Sequence, residues 1–383
     1  MNAPAIHPVY AAPHEAASEV WLGRLFVLGL LLLPLQFIQV GMAQTAHLWA
    51  IVVIGVMVYT KSFRVKGLEI GAYLFFIAIA LVDTLLAHYF RIKAVEQIIK
   101  FVAVYPAFYL IGRMYGEKYF NKKLPYGYVF IFSFIAIQYL IQFFRVPVVY
   151  EAVGFMQNAI HGTFKERNWF AIYVFLLIYL LFLRSDFRFS SLMKFFGASI
   201  LIALLSESKT VLIACGIAFM LHHRGHFWLK VLAIAAGTAF YMQHFGWELS
   251  GDLLRVRLQD ERGLAFEQSI KLISENWTGY GFGFVEGYFS QLWFTIMGLG
   301  LGTNSIFSSP LDFMVIAGFA GLAFWFVFFA GVGTSSVFLL APVAAWSLVN
   351  PLHQSEIVYL FAGFLTTWGL QRHAADRASK GAL

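Results

Sequence analysis

The stretch Leu68-Glu69-Ile70-Gly71-Ala72-Tyr73-Leu74-Phe75-Phe76-Ile77-Ala78-Ile79-Ala80-Leu81-Val82-Asp83-Thr84-Leu85-Leu86-Ala87-His88 is apolar almost throughout, with two carboxylates near its ends. A helix of this length rises about 30 Å, the thickness of a bilayer's hydrocarbon layer. Similar runs recur on both sides of it, at Val20–Val40, Ala46–Tyr59, Ile98–Tyr115, Gly127–Phe144, Trp169–Leu183, Leu192–Ser206, Thr210–His222, Phe227–Phe245, Asn304–Ala330, Ser336–Val349 and Ile357–Leu370. The chain is 60% hydrophobic and 12% charged, against about 25% charged in soluble domains. Its mean hydropathy is +0.73. The runs are too long and too unbroken for barrel strands. The expected fold is therefore all-α: a polytopic membrane protein of about twelve transmembrane helices, forming one domain over residues 1–383.

The first run is longer than a signal-peptide core and has no basic segment before it, so it reads as a retained span. With the N-terminus cytoplasmic, fifteen Lys and Arg fall in cytoplasmic loops and ten on the other side. The short loops carry the bias, which places both termini inside. The formal charge of +7 thus reflects membrane orientation, and nucleic acid is not an expected partner. The single cysteine, Cys215, sits within an apolar run and offers neither a disulfide nor a metal cluster. His222-His223-Arg224-Gly225-His226 falls on the cytoplasmic side and reads as a positive anchor.

The basic residues on the outer side need a reason, because orientation disfavours them there. Most lie in the loop from Arg145 to Asn168, in the break Ser206-Glu207-Ser208-Lys209, and in a large periplasmic loop at 246–303. Within that loop, Gly251 to Asn276 has helical spacing. Leu254, Leu258, Phe266, Ile270 and Ile273 are expected to form the apolar face of an amphipathic surface helix. Trp247, Trp277, Tyr280, Tyr288 and Trp293 suit an interface, packing or stacking on sugar rings. Guanidinium groups match phosphate oxygens in a bidentate fork. The set Arg91, Lys165, Arg167, Lys209, Arg255, Arg257 and Arg262 therefore suggests a lipid-borne anion such as a polyprenyl diphosphate. Snorkelling to lipid headgroups, or pairing with Glu151, Glu166, Asp252, Asp260 and Glu261, is the alternative.

Four ordered segments carry a family resemblance. Gly162-Thr163-Phe164-Lys165-Glu166-Arg167-Asn168-Trp169 enters a span. Ser206-Glu207-Ser208-Lys209-Thr210 breaks two spans. Arg262 precedes Gly279-Tyr280-Gly281-Phe282-Gly283. Thr303-Asn304-Ser305 leads to Gly318-Phe319-Ala320-Gly321-Leu322. Together they resemble the O-antigen ligase and polymerase superfamily over about Gly162 to Leu322. Earlier spans resemble it in hydropathy alone.

The resemblance implies a glycosyltransferase of the bacterial inner membrane that needs no metal or other cofactor. Its donor is a glycan on undecaprenyl diphosphate, and transfer inverts the anomeric configuration at the periplasmic face. Arg167 and Arg262 are the expected catalytic cations. Arg91, Lys165, Asn168, Lys209, Arg255, Arg257, Gly281 and Asn304 are the expected substrate-binding positions, Arg255 and Arg257 on charge and location alone. Glu207 and His353 are the expected proton acceptors, with His161, Glu166 and Glu261 also on the outer side. Glu207 can instead neutralise Lys209. Family ligases carry a His where Thr303 stands, so the expected activity is polymerisation of oligosaccharide repeat units. A ligase and a flippase or transporter are the alternatives. Membrane lipid, a flippase and a chain-length co-polymerase are the expected partners. Asp83 and Asp312, acids in or near spans, are functional suspects on cost alone.

Overall fold

The computed structural model describes residues 13–40, 43–60, 65–87, 89–146, 159–185, 189–222, 227–245, 261–297 and 306–381. Among these, all regular structure is helical except one two-residue antiparallel strand pair, β1 (Gln39–Val40) and β2 (Ala43–Gln44). The helices are α1 (Pro13–Leu32), α2 (Thr45–Thr60), α3 (Gly67–Ala87), α4 (Arg91–Ile99), α5 (Tyr105–Tyr119), α6 (Tyr128–Phe143), α7 (Arg167–Leu183), α8 (Phe189–Ser206), α9 (Thr210–His222), α10 (Phe227–Phe245), α11 (Glu261–Glu275), α12 (Phe284–Met297), α13 (Ser309–Phe328), α14 (Val337–Ser347) and α15 (Glu356–Gly381). Each apolar run read from sequence overlaps at least one of them.

Among the described residues, four helical segments are long and apolar enough to cross a membrane: Gly67–Ala87, Arg91–Tyr119, Phe189–Ser206 and Ser309–Phe328. The outer surface fits that solvent. On α3, Leu74, Phe75, Val82, Leu85 and Leu86 are all exposed, Leu86 at 76%. An apolar face of that extent is unfavourable in water and favourable in lipid. The protein is a helical membrane protein.

Two features organise the interior. From Trp169 to Leu180 every residue of α7 is buried, so this helix is apolar on all sides and enclosed by its neighbours. The second is the seam between α5 and α15. A Cβ on Gly112 would run into the Leu360 carbonyl, and one on Gly363 into the Tyr109 carbonyl. Small residues let the two backbones touch, which is how helices gain contact where lipid offers no hydrophobic drive.

The run Asn304–Ala330, expected as one straight span, is broken. Ala317 (φ −145°, ψ 28°) and Gly318 (φ 52°, ψ −132°) leave helical geometry inside α13. In a straight helix, residues eight apart lie about 12 Å apart along the axis. Here a Cβ on Gly321 would strike the Phe313 carbonyl, and the Phe313 and Phe324 rings are 5.1 Å apart. The halves fold against each other. The break frees the carbonyls of Val315 and Ile316, and the amides of Tyr280 and Gly281 bond them at 2.8 and 2.9 Å. The glycine turn therefore caps a broken helix, and its positive φ values at Gly279, Gly281 and Gly283 let the chain lie against three other backbones.

The loop helix also differs from expectation. In α11 the buried positions are Ala265, Ser269 and Leu272, while Phe266 and Ile270 are exposed. Ala265 and Ser269 are small enough to bring the helix close to its neighbours, so the larger pair turns outward. Leu254 and Leu258 lie outside the described residues.

Candidate functional site

Two of the sequence motifs meet at one end of the bundle. The loop before α7 is held by two glutamines of α6. Gln142 Oε1 accepts from the amides of His161 (2.8 Å) and Gly162 (3.0 Å), and Gln138 Oε1 accepts from the Thr163 amide (2.8 Å). The Ile160 amide bonds the Leu205 carbonyl at 2.7 Å, which ties this loop to the end of α8. Ser206 closes α8 by donating to the Ile202 carbonyl. Glu207 then turns left-handed (φ 51°), and α9 starts at Thr210. The Arg167 guanidinium, in the first turn of α7, donates to Glu207 Oε2 at 2.9 Å. Ser208 Oγ stands 3.4 Å from Asn168 Oδ1. Glu207 thus pairs with Arg167. The half-exposed guanidinium lies where α7 and α9 both begin, and the free backbone N–H groups of helix starts favour anions.

A polar chain runs inward from there. Asn350 Nδ2 is 3.5 Å from Thr210 Oγ1. Ser309 Oγ donates to the Asn350 carbonyl (3.0 Å) and accepts from the His353 amide (3.3 Å). The His353 ring stands 3.5 Å from Asp312 Oδ2 by its Nε2, and the Ile306 amide donates to Asp312 Oδ1 at 3.1 Å. His353 Nδ1 is buried and has no hydrogen-bond partner. Burial pushes the His353 pKa down to about 3, and the charge of Lys100 adds to the effect. His353 was expected on the outer side as a proton acceptor; its ring is enclosed, 2% exposed. His161 is also buried, with Nδ1 near the Phe164 carbonyl (3.2 Å), and burial lowers its pKa.

Three buried acids join this end, and only Asp312 was singled out from sequence. Gln97 Nε2 donates to Glu286 Oε1 at 3.0 Å, and Gln97 Oε1 accepts from the Gly283 amide at 2.7 Å. Glu356, at the start of α15, stands 3.4 Å from His47 Nε2. Lys100 opens a π-helical turn, Lys100–Val104, between α4 and α5. Such turns cost backbone geometry and recur at functional sites. In the sequence, Lys100 stands out as one of two charges, with Arg113, inside the apolar run Ile98–Tyr115. Nothing in the linear pattern places Gln97 against Glu286, or His47 against Glu356.

The remaining expected positions separate. Lys165 is exposed, with its amide bonded to Gln36 Oε1 at 3.2 Å. Arg91 is exposed at the start of α4, and Lys209 is half-buried. Gly281 is buried against the Thr84 backbone, where it serves packing. Arg262 belongs to α11; its side chain, with Arg255, Arg257 and Asn304, lies outside what is described. Of the loop aromatics, Tyr280, Phe284 and Tyr288 stack on one another at 4.3 and 5.1 Å, and Trp277 is exposed. His222, expected in a surface anchor, is buried and meets the Tyr179 hydroxyl at 2.8 Å, while 223–226 lie outside the described residues. No family model matches the chain, and no curated protein matches it.

This end therefore offers a cation at two helix starts and, further in, several enclosed carboxylates held in separate hydrogen-bonded groups. Such an arrangement can hold an oxyanion at its rim and accept a proton further in.

Proposed function

We propose that the chain is a membrane glycosyltransferase that polymerises oligosaccharide repeat units carried on undecaprenyl diphosphate. The observation that carries this reading is the Arg167–Glu207 pair at the shared start of α7 and α9, which joins two motifs forty residues apart. In this reading the bundle crosses the bacterial inner membrane about twelve times with both termini cytoplasmic. The end bearing Arg167 faces the periplasm beneath the 246–303 loop. A sugar hydroxyl attacks the anomeric carbon, the bond to the diphosphate breaks with inversion, and the hydroxyl proton passes to a protein carboxylate. Arg167, with Arg262 and Lys209, offsets the charge that grows on the departing diphosphate. Glu207 is held by Arg167, and the enclosed Glu286 and Glu356 are further candidate acceptors.

The break in α13 favours a second reading, a transporter of the lipid-linked glycan, because broken helices commonly build substrate sites in transporters. One experiment separates the readings: compare lipid-linked and surface glycans from a deletion strain. Single repeat units accumulating on the outer face of the membrane support the polymerase. Full-length polymer left on the carrier identifies a ligase. Repeat units retained on the cytoplasmic side identify the transporter and remove the site assignment.

A further inference from the structure

α7 and α15 run side by side in the same direction. Near their starts the rings of Tyr173 and Phe361 lie 6.5 Å apart. Further along, the Arg184 guanidinium sits 5.7 Å from the centre of the Trp368 ring. Tyr173 lies six residues after Arg167, and Phe361 five after Glu356. At about 1.5 Å per residue, Arg167 and Glu356 therefore begin their helices at nearly the same level. Neighbouring helix axes lie about 8–10 Å apart, so about one helix spacing separates the two backbones.

Glu356 is held by one oxygen only. The Gln44 amide donates to His47 Nδ1 at 3.2 Å, so Nε2 carries the ring hydrogen and donates to Glu356 Oε1 at 3.4 Å. The β1–β2 hairpin and the first turn of α2 thereby fix one side of the carboxylate. Oε2 has no hydrogen-bond partner among the described residues, and the side chain is 10% exposed. The Tyr105 and Tyr359 rings stack at 4.4 Å, both within electrostatic reach of Glu356, and the enclosed Tyr359 hydroxyl is unpartnered. The other carboxylate that Tyr105 feels is Glu286. No lysine or arginine forms an ion pair with Glu356 among the described residues, and Lys100 bears on His353.

We propose that Glu356 is the general base of the glycosyl transfer and that His47 positions it, an inference that rests on the polymerase reading above. The acceptor hydroxyl oxygen attacks the anomeric carbon. The bond from that carbon to the diphosphate breaks, and its electron pair leaves with the diphosphate, beside Arg167. The hydroxyl proton passes to Glu356 Oε2 and from there to water. Inversion sets the attacking hydroxyl and the leaving group on opposite faces of the sugar. In inverting glycosidases the two acting carboxyls stand about 6.5–9.5 Å apart on such opposite faces. One helix spacing between Arg167 and Glu356 matches that requirement. Glu207, only 2.9 Å from the Arg167 guanidinium, lies on the leaving-group side instead. Glu286 is fixed from α4 by Gln97 at 3.0 Å, outside the register that α7 and α15 share.

The test uses the full-length protein in detergent, with lipid-linked repeat units extracted from the deletion strain as substrate and initial rates of polymer formation read on gels. Glu356→Gln still accepts from His47 but takes no proton, and is expected to lower kcat about 10²–10⁴-fold with KM and melting temperature near wild type. Glu286→Gln should hold kcat to within about ten-fold, since it takes no proton in the step. His47→Ala should lower kcat about 10–10²-fold through misplacement of the base. His47→Gln, which returns an N–H to Glu356, should recover most of that loss. Should Glu356→Gln melt early, the His47 pair decides by this rescue. Equal loss in both His47 variants overturns the positioning role. Wild-type kcat in Glu356→Gln, or loss in Glu286→Gln instead, overturns the base while the polymerase reading stands. Wild-type protein that extends no repeat units, with units held on the cytoplasmic side of the deletion strain, removes the polymerase reading and this inference together.

Discussion

The two ends of the bundle handle buried charge in opposite ways. Where α3 begins and α5 closes, Glu69 is fully buried and saturated: it accepts from the Lys66 amide (2.7 Å), the Tyr109 hydroxyl (2.5 Å) and the Arg113 guanidinium. At the end bearing Arg167, the carboxylates are spread out, and Glu286 and Glu356 are lightly held. Glu286 leans on an amide and Glu356 on an imidazole, while Asp312 shares a neutral His353 and a backbone amide. A saturated pair resists change, because removing one partner strands a charge in low dielectric. Lightly held acids can exchange protons and partners, which chemistry on a substrate demands. The contrast predicts that substitutions at the first end act on folding, and those at the second on activity.

The largest effect is expected from Glu69→Gln, which strands the Arg113 charge and should cost about 3–5 kcal/mol. The yield and melting temperature of detergent-purified protein measure it, and pairing the change with Arg113→Met should restore much of the loss. A single variant as stable as wild type would end the view of this end as a structural latch. Arg167→Ala should behave in the reverse way. Polymer formation should fall by about 10²–10³-fold, as when one oxyanion-stabilising donor is removed. Folding should change by no more than about 1 kcal/mol, since the pair with Glu207 is partly exposed and screened. Normal polymer from a stably inserted variant would refute the clamp at the start of α7.

Between the ends, Gly112→Ala pushes a methyl group into the Leu360 carbonyl and should cost about 1–3 kcal/mol. Gly55→Ala on α2, where a Cβ meets nothing within 4 Å, is the control and should be neutral or slightly stabilising. Equal melting temperatures would mean that the α5–α15 seam is looser than described.

A further contrast is in pH dependence, read as a slope. The folded pKa of His353 lies at about 3, below the ordinary value near 6.5. Between those values the unfolded chain binds a proton that the folded chain does not, so stability falls as pH drops through that window. His353→Gln should flatten the slope by up to one proton, about 1.4 kcal/mol per pH unit. An unchanged slope would mean that His353 is protonated in the folded protein and that its neutral pairing with Asp312 is wrong.

Each of these contrasts was legible to a different degree beforehand. Run length and composition locate the apolar helices, because a membrane's solvent requirement acts on each segment separately. Glu207 was read as a proton acceptor, with neutralisation of Lys209 as the alternative. The structure adds a partner forty residues away: at its left-handed turn, the Glu207 carboxylate meets Arg167. The Gly279–Gly283 turn was visible as a motif, but its task of capping the broken α13 was not.

By itself, then, the sequence determined the helical membrane class, the positions of the apolar helices and the suspicion attached to Arg167, Glu207 and Asp312. These follow from local quantities: hydropathy, length and the cost of a charge in lipid. Only the tertiary structure decided which charges meet, which helix breaks and which acids are enclosed. Gln97 finds Glu286 across 189 residues and His47 finds Glu356 across 309. Such partnerships arise from packing three-dimensional surfaces together, and no periodicity along the chain encodes them.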